Sequence, residues 1–360
     1  PSLGQMLVPQ FIGPNGFVLQ EVTAATDNYV ADQRIDYVGL GVDVSFDDRF
    51  RINAGARYET NNQSVSTFSV LQANQRIDSA LDESDVLPSF GATWMIDDAQ
   101  QLRLGWSRTL SRPDFRELSP APFLDPILDI LTFGNPELET AKITNIDLRW
   151  EYYFSSDESL SVALFRKEFD KPIEKLLLPA TGSLLQTLAN AESATNQGIE
   201  IDYFQRLGWA DGWFGDVDME NWFIAANYSW IDSEIVLDRA RAGVSTNLNR
   251  PLEGQSPYVA NLQLGYSSPE GTHETALSFN VAGERIVQVG IDTQPDVYEQ
   301  PAPQLDFNWR WQFANDWSTR VRLRNLLDPS IEFEQGDINI REFKRGREIA
   351  ISVEWSPKRD

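Results

Sequence analysis

Apolar and polar residues alternate at every second position over long parts of this sequence. In "QLDFNWRWQF" (304–313) the odd-numbered positions are all apolar or aromatic, and the even-numbered positions are all polar or charged. A period of two is that of a β-strand, whose successive side chains point to opposite faces. The same alternation recurs at 38–46, 51–59, 145–154, 258–267 and 348–355. We therefore predict an all-β protein of about 13 antiparallel strands.

The connections between the predicted strands alternate in length. Short ones lie at 47–48, 97–100, 155–158, 268–271 and 314–316. Long ones run over 61–82, 111–142, 172–192, 236–254, 288–300 and 328–340, and 208–219 is an extended member of the short set. A meander with tight turns at one end and long loops at the other is the layout of an outer-membrane β-barrel, with periplasmic turns and extracellular loops.

In such a barrel the apolar face of each strand meets lipid and the polar face lines the lumen. We expect these side chains to point outward: Leu305, Phe307, Trp309 and Trp311. We expect these to point into the lumen: Asp306, Asn308, Arg310, Arg320, Arg322 and Arg324. A tight turn near Asn315 would place Arg324 opposite Asp306 and Arg322 opposite Asn308.

Composition narrows the function classes. The chain has 360 residues, a formal net charge of −24, one histidine and no cysteine. A chain this acidic repels phosphate backbones, so nucleic acid is not an expected partner. Without cysteine there is no disulfide, thiol nucleophile or thiolate metal ligand. The lone His273 follows a short turn and has no catalytic constellation around it, so we expect an exposed turn residue, no catalytic or metal site and no cofactor.

Several short motifs occur in a specific order. "SRTLSRPDFRELSPAP" (107–122) is followed by "TFGNPELETAKITN" (132–145), then by "NQGIEIDY" (196–203), "LRNLLD" (323–328) and "REFKRGREIAISVEW" (341–355). This series resembles the barrel of TonB-dependent outer-membrane receptors. There an Arg-Pro strand end precedes a long loop and an Asn-Pro-x-Leu motif leads into the next strand. Here those motifs are Ser111-Arg112-Pro113 and Asn135-Pro136-Glu137-Leu138.

The resemblance implies a transmembrane barrel of about 22 strands closed by an N-terminal plug. With about 13 strands and no plug, this sequence is expected to be the C-terminal part of such a barrel. The expected divisions are 1–28 as the end of an extracellular loop, 29–356 as barrel and 357–360 as a tail. Alone it should have unpaired edges near 30–46 and 345–356. The tail "SPKRD" after Trp355 departs from the family, whose chains usually end on an aromatic residue.

The resemblance also places a ligand site at the extracellular mouth. The candidate ligand-binding residues are Arg112, Phe115, Arg116, Phe123, Asp125, Asp129, Asp296 and Tyr298. For each of them loop packing or strand capping is the simpler interpretation. Haem receptors of the family carry a histidine between the two motifs, and this loop has none, so haem is disfavoured. A ferric siderophore, a cobalamin or an oligosaccharide all stay open.

The function implied is uptake of a scarce ligand across the outer membrane of a Gram-negative bacterium. The expected partners are the TonB energising complex, through the N-terminal part, and outer-membrane lipid. A passive porin or an adhesin barrel would share the alternation without the Arg-Pro and Asn-Pro motifs. A soluble all-β carbohydrate-binding or hydrolytic domain would keep its large aromatic side chains inside.

Overall fold

The structure is a computed structural model. It describes residues 28–68, 76–125, 130–178, 185–213, 215, 217–239, 245–291, 293–314 and 316–356. Nearly all of the predicted loop end 1–28 and all of the predicted tail 357–360 lie outside these residues. No helix among the described residues has the length and apolar character needed to cross a membrane.

Thirteen strands, as many as predicted, pair in one continuous antiparallel sheet, which we call the wall. They are β1 (Asn28–Phe46), β2 (Phe50–Phe68), β3 (Arg76–Asp97), β4 (Gln100–Ser111), β7 (Ala141–Tyr153), β8 (Ser159–Asp170), β11 (Ser193–Arg206), β12 (Trp222–Val236), β14 (Tyr258–Ser267), β15 (His273–Ala282), β18 (Gln304–Ala314), β19 (Trp317–Arg324) and β22 (Glu348–Trp355). Each wall strand pairs with the next wall strand along the chain, which confirms the meander.

The long connections carry short elements that we call the loop assembly. They are α1 (Phe115–Leu118), β5 (Pro122–Asp125), β6 (Ile130–Phe133), β9 (Ile173–Leu178), β10 (Leu185–Asn190), β13 (Asn249–Arg250), β16 (Arg285–Gln288), β17 (Val297–Glu299), β20 (Ile331–Gln335) and β21 (Ile338–Phe343). Two four-stranded sheets form within it, in the orders β5-β6-β10-β9 and β16-β17-β20-β21. Two 3-10 turns, Gly208–Ala210 and Met219–Asn221, lie instead in the extended member of the short connections.

The wall has two open edges within the described residues. β1 pairs only with β2, and β22 pairs only with β19. Leu40 and Ile349, on these two strands, are 84% and 72% exposed. The unpaired edges predicted near 30–46 and 345–356 are therefore confirmed for the described chain, in which no element forms a separate plug domain.

A chain of polar side chains crosses one face of the wall from β4 to β15. Its members are, in order along the wall, Arg103, Glu151, Arg149, Asp202, Asn227, Asn261 and Asn280. The distances joining consecutive members run from 2.5 Å, between Asn280 Nδ2 and Asn261 Oδ1, to 3.3 Å. The loop assembly covers this same face, where Gln63 of β2 donates to the carbonyl of Pro113. We call it the inner face.

The opposite, outer face carries the large apolar side chains. At the end of the wall with the short turns its aromatic rings pack in stacked, tilted or edge-to-face pairs. The pairs include Phe50–Trp94, Trp150–Tyr152, Tyr152–Phe154, Trp222–Tyr266, Trp309–Trp311 and Trp317–Trp355. We call these rings the aromatic belt. Such a belt is typical of strands that cross from hydrocarbon into headgroups.

The two faces predicted for 304–313 are confirmed. Trp309 and Trp311 stack with their ring centroids 5.9 Å apart in the belt, whereas Arg310 pairs with Glu274 on the inner face. Asn308 lies directly opposite Arg322, as predicted. His273 is half-buried, and its ring stacks beside those of both Trp309 and Trp311, with centroids 6.1 and 5.9 Å away, so it belongs to the belt and is not an exposed turn residue.

Candidate functional site

The two motifs near the ends of the loop 111–142 fold against each other. Asp114 and Glu117 form a capping box at the N-terminus of α1. The backbone N–H of Asn135 donates to the backbone carbonyl of Glu117 at 2.6 Å. A Cβ on Gly134 would lie 2.2 Å from the carbonyl oxygen of Ser119, so only glycine fits at this position. The Arg-Pro and Asn-Pro motifs therefore form one structural unit.

Two asparagines tie this unit to the loop 172–192. Asn135 Nδ2 donates to the carbonyl of Leu188 at 2.9 Å. The buried Asn190 donates to the carbonyls of Glu139 and Lys171 and accepts from the Glu139 amide, at 2.8 to 2.9 Å. Irregular backbone has no ladder partner of its own, and these side chains supply one.

An apolar cluster and an ion pair fix the same unit to the inner face. The cluster consists of Val65, Leu118, Leu138 and Leu188, with Phe115 packed against it. Arg112 Nη2 lies 2.6 Å from Glu59 Oε1, and the two side chains are only 15% and 5% exposed. Glu59 also pairs with Arg57 at 2.7 Å. Breaking one side of a buried pair costs roughly 3–5 kcal/mol, so Arg112 anchors the loop to β2.

The other candidates of this loop have more open surroundings. Arg116 is exposed, and its guanidinium lies 4.9 Å from the ring centroid of the half-buried Phe123, in a cation–π pair. The neighbouring Leu124 is 56% exposed. Asp125 is the last residue of β5, and Asp129 lies outside the described residues.

The two candidates of the loop 288–300 lie inside the loop assembly. Asp296 is 3% exposed, and its carboxylate accepts from the Gly290 amide at 2.6 Å and from Asn247 Nδ2 at 2.8 Å. Tyr298 packs on a cluster that includes Ile130 of β6. Burial, and then the charge of Asp296, raise the pKa of Tyr298 above its ordinary value. This packing joins the loops 111–142 and 288–300.

Two ion pairs join the loops 172–192 and 236–254. Arg250 of β13, whose side chain is 2% exposed, pairs with Glu174 of β9 at 3.0 Å. Lys175 Nζ lies 3.5 Å from Glu253 Oε1. Burial raises the pKa of both Glu174 and Glu253, against the opposing charges of Arg250 and Lys175.

Sequence reasoning missed three of the residues that shape the site, Glu59, Asn190 and Arg250. Glu59 and Arg57 lie two positions apart in the alternating segment 51–59, a spacing that puts both on one face of a strand, but nothing in the sequence pairs Glu59 with Arg112. Asn190 and Arg250 lie in loops without periodicity, and no sequence signal marks their partners 51 and 76 positions away.

The wall therefore has a polar inner face, which the interlocked loops cover, and an outer face that carries the aromatic belt. The sequence profile described as TonB dependent receptor-like, beta-barrel, matches residues 9–326. No curated protein sequence matches the chain.

Solved structures share the fold. The ferric yersiniabactin uptake receptor FyuA from Yersinia pestis has a TM-score of 0.61 and 18% identity, over 91% of this chain and 46% of that one. The siderophore receptor PiuA from Acinetobacter baumannii has a TM-score of 0.65 and 13% identity, over 91% and 44%. The copper transporter OprC has a TM-score of 0.64 and 17% identity, over 90% and 48%. This chain therefore spans about half the length of these structures.

That profile covers most of the sequence, and the family it describes consists of receptors and transporters of the Gram-negative outer membrane. The wall, the belt and the two loop motifs agree with it. This chain belongs to the TonB-dependent receptor β-barrel family.

Proposed function

We propose that the intact protein is an outer-membrane receptor that takes up a scarce ligand by TonB-coupled active transport, and is not an enzyme. The observation that carries the proposal is the loop assembly, whose loops are joined by buried side chains and roof a polar inner wall. A passive pore needs an open mouth, whereas interlocked loops suit a receptor that holds one ligand before admitting it.

We propose a metal chelate of the siderophore type as the ligand. The support is indirect: FyuA and PiuA are described as a ferric yersiniabactin receptor and a siderophore receptor, and OprC as a copper transporter. Cobalamin and oligosaccharide are the alternative outcomes of the test below.

The candidate residues divide into two groups. We propose Arg116 and Phe123 as direct contacts, because both belong to a loop and keep part of their surface open to solvent. Asp125 and Asp129 stay candidate contacts beside them. The remaining candidates, which we propose hold the loops in place for binding, are Arg112, Phe115, Asp296 and Tyr298.

The test is uptake by cells with and without the gene. We expect the deletion to impair growth on an iron-loaded siderophore under iron starvation, and a protonophore to abolish uptake by the wild type. Arg116→Ala with Phe123→Ala should weaken ligand binding. The control Arg206→Ala, an exposed arginine at the short-turn end, should not.

If growth depends on the gene only when cobalamin or a polysaccharide is supplied, that compound, and not a siderophore, is the ligand. Uptake that is insensitive to the protonophore would contradict active transport.

A further inference from the structure

The connection 208–219 differs from the other short connections because it is longer and has a small fold of its own. It contains the two 3-10 turns described above. The carboxylate of Asp211 accepts from the backbone N–H of Met219 at 3.3 Å, which ties its two halves together. The side chains of Ala210 and Met219 are buried. Contacts within the connection therefore define its shape.

Two tryptophans of this connection expose large apolar surfaces. Trp209 is 57% exposed and Trp213 is 69% exposed, whereas Trp311 of the aromatic belt is 39% exposed. The two rings meet edge to face with their centroids 5.2 Å apart. Val217 adds a third exposed apolar side chain. Grouped apolar side chains on a protein surface mark a site of interaction, so this group requires a partner.

The chemistry of the connection shows that this partner is apolar. Asp218 accepts from the backbone N–H of Glu220 and from Asn221 Nδ2, at 3.0 and 2.8 Å, so its carboxylate, like that of Asp211, closes the connection itself. The sequence contains no lysine or arginine between Arg206 and Arg239. An anionic surface is attracted by basic residues, and none is present here. The tryptophan pair is therefore the group that a partner can bind.

The connection begins and ends in the aromatic belt. On β11, Tyr203 of the outer face meets Phe154 edge to face, with centroids 6.2 Å apart. On β12, Trp222 lies against Tyr266, with centroids 5.1 Å apart. Tryptophan is favoured where hydrocarbon meets lipid headgroups. The exposed pair thus continues a surface that already has the character of a membrane interface.

The place of the connection in the wall excludes further wall strands as the partner. Six wall strands precede β11 and five follow β12, and the short turns on either side, 155–158 and 268–271, belong to this chain. A strand outside this chain would pair at the open edges of β1 or β22. It would not lie beside this connection.

We propose that Trp209 and Trp213 anchor the connection 208–219 in the headgroup region of the phospholipid leaflet at the short-turn end. The other short turns lie in water, and this one lies in the membrane interface. The proposal rests on the placement of the wall in a membrane and does not depend on uptake.

The experiment places a nitroxide spin label at Val217→Cys in the full-length receptor, reconstituted in neutral phosphatidylcholine bilayers. Collisions with oxygen, which concentrates in hydrocarbon, are compared with collisions with a nickel complex that stays in water. We expect an oxygen-to-nickel ratio severalfold higher at 217 than at Asp98→Cys and Glu270→Cys, in two ordinary short turns. This measurement leaves both tryptophans in place.

Replacing the pair tests its role. Trp209→Ala with Trp213→Ala should lower the ratio at 217 to that of the two ordinary turns, and the phenylalanine pair should retain part of the difference. The matched control is Trp94→Ala, which removes a tryptophan of the belt on β3 and should leave the ratio at 217 unchanged.

Three results would overturn the proposal. One is a label at 217 as accessible to the nickel complex as the labels at 98 and 270. Another is a label shielded from both oxygen and nickel, which would identify a protein segment as the partner. The third is a ratio that stays high after both tryptophans are replaced. Uptake is not measured, so a receptor that fails to transport leaves this result unchanged.

Discussion

Single polar side chains decide how the loops lie on the wall. Glu59 holds Arg112 and Arg57 at once, and Asn135 and Asn190 bond backbone groups of neighbouring loops. Each side chain satisfies polar groups that burial has removed from water. Losing one of them leaves its partners unsatisfied, so its effect exceeds that of a surface change.

Asn190→Ala tests this at one position. The change removes two donors and one acceptor, and each buried group left without a partner costs roughly 1–3 kcal/mol. We expect a lower Tm for the full-length receptor and faster trypsin cleavage after Lys171. Asn339→Ala is the control, because Asn339 is exposed and its side chain accepts from the backbone amide of Arg341 in the same strand. Equal effects of the two changes would contradict the role of Asn190.

The buried carboxyls Glu174 and Glu253 give the loops a pH dependence. Their pKa is raised in the folded state, so above the ordinary carboxyl pKa the folded state binds more protons than the unfolded state. The stability they contribute is present at acid pH and falls as pH rises through the raised pKa.

Glu253→Gln should remove the contribution of Glu253 to the pH dependence of stability. Because the amide has no charge to desolvate, we expect the variant to have a higher Tm than wild type at neutral pH. The difference should shrink as pH falls below the ordinary glutamate pKa of about 4.3, because the carboxyl is then protonated in both states. Glu137→Gln, which replaces an exposed carboxyl of the neighbouring loop, controls for the loss of one surface charge. A difference that grows toward acid pH would show the opposite sign and reject the argument.

At the scale of the element, each wall strand separates two environments with a period of two. On β15 the side chain of Leu277 lies on the outer face, and that of Ser278 lies on the inner face. Neighbouring residues of one strand therefore make a matched pair for testing which face meets lipid.

We expect Leu277→Arg to reduce the amount of folded receptor in the outer membrane. An arginine on the lipid face near the midplane of the bilayer costs about 2–4 kcal/mol. Ser278→Arg should be tolerated, because the inner face is wet and already holds arginines. The amount of folded receptor in isolated membranes is measured by gel electrophoresis, in which unheated folded barrel migrates differently from heated, unfolded protein. Equal losses for the two variants would contradict the assignment of faces.

The wall strands could be predicted from the sequence and the loop assembly could not. The alternation of apolar and polar residues predicted a strand over 304–313, and the observed β18 spans Gln304–Ala314. The tight turn after it predicted the pairing of Asn308 with Arg322. The parallel pairing of β6 with β10 joins two separate loops. Such pairing depends on long-range contacts that leave no periodic trace, and for the same reason the partners of Arg112 and Asp296 were not predictable.

At the scale of the whole molecule, the aromatic belt and the loop assembly indicate how the protein is oriented in the membrane. The aromatic belt lies at the end with short turns, and the roofed mouth lies at the other. In an outer-membrane barrel the short turns are periplasmic and the long loops extracellular. The absence of cysteine from the sequence makes this orientation testable by single-cysteine labelling.

Four exposed positions serve for labelling, Leu124 and Ile338 in the loop assembly and Asp98 and Glu270 in short turns. A membrane-impermeant maleimide should label cysteine at 124 and 338 in intact cells. It should reach 98 and 270 only after the outer membrane is permeabilised, because only then does the reagent enter the periplasm. The parent without an introduced cysteine sets the background. Labelling of 98 and 270 in intact cells, with protection of 124 and 338, would reverse the orientation and remove the basis for a ligand site in the loops.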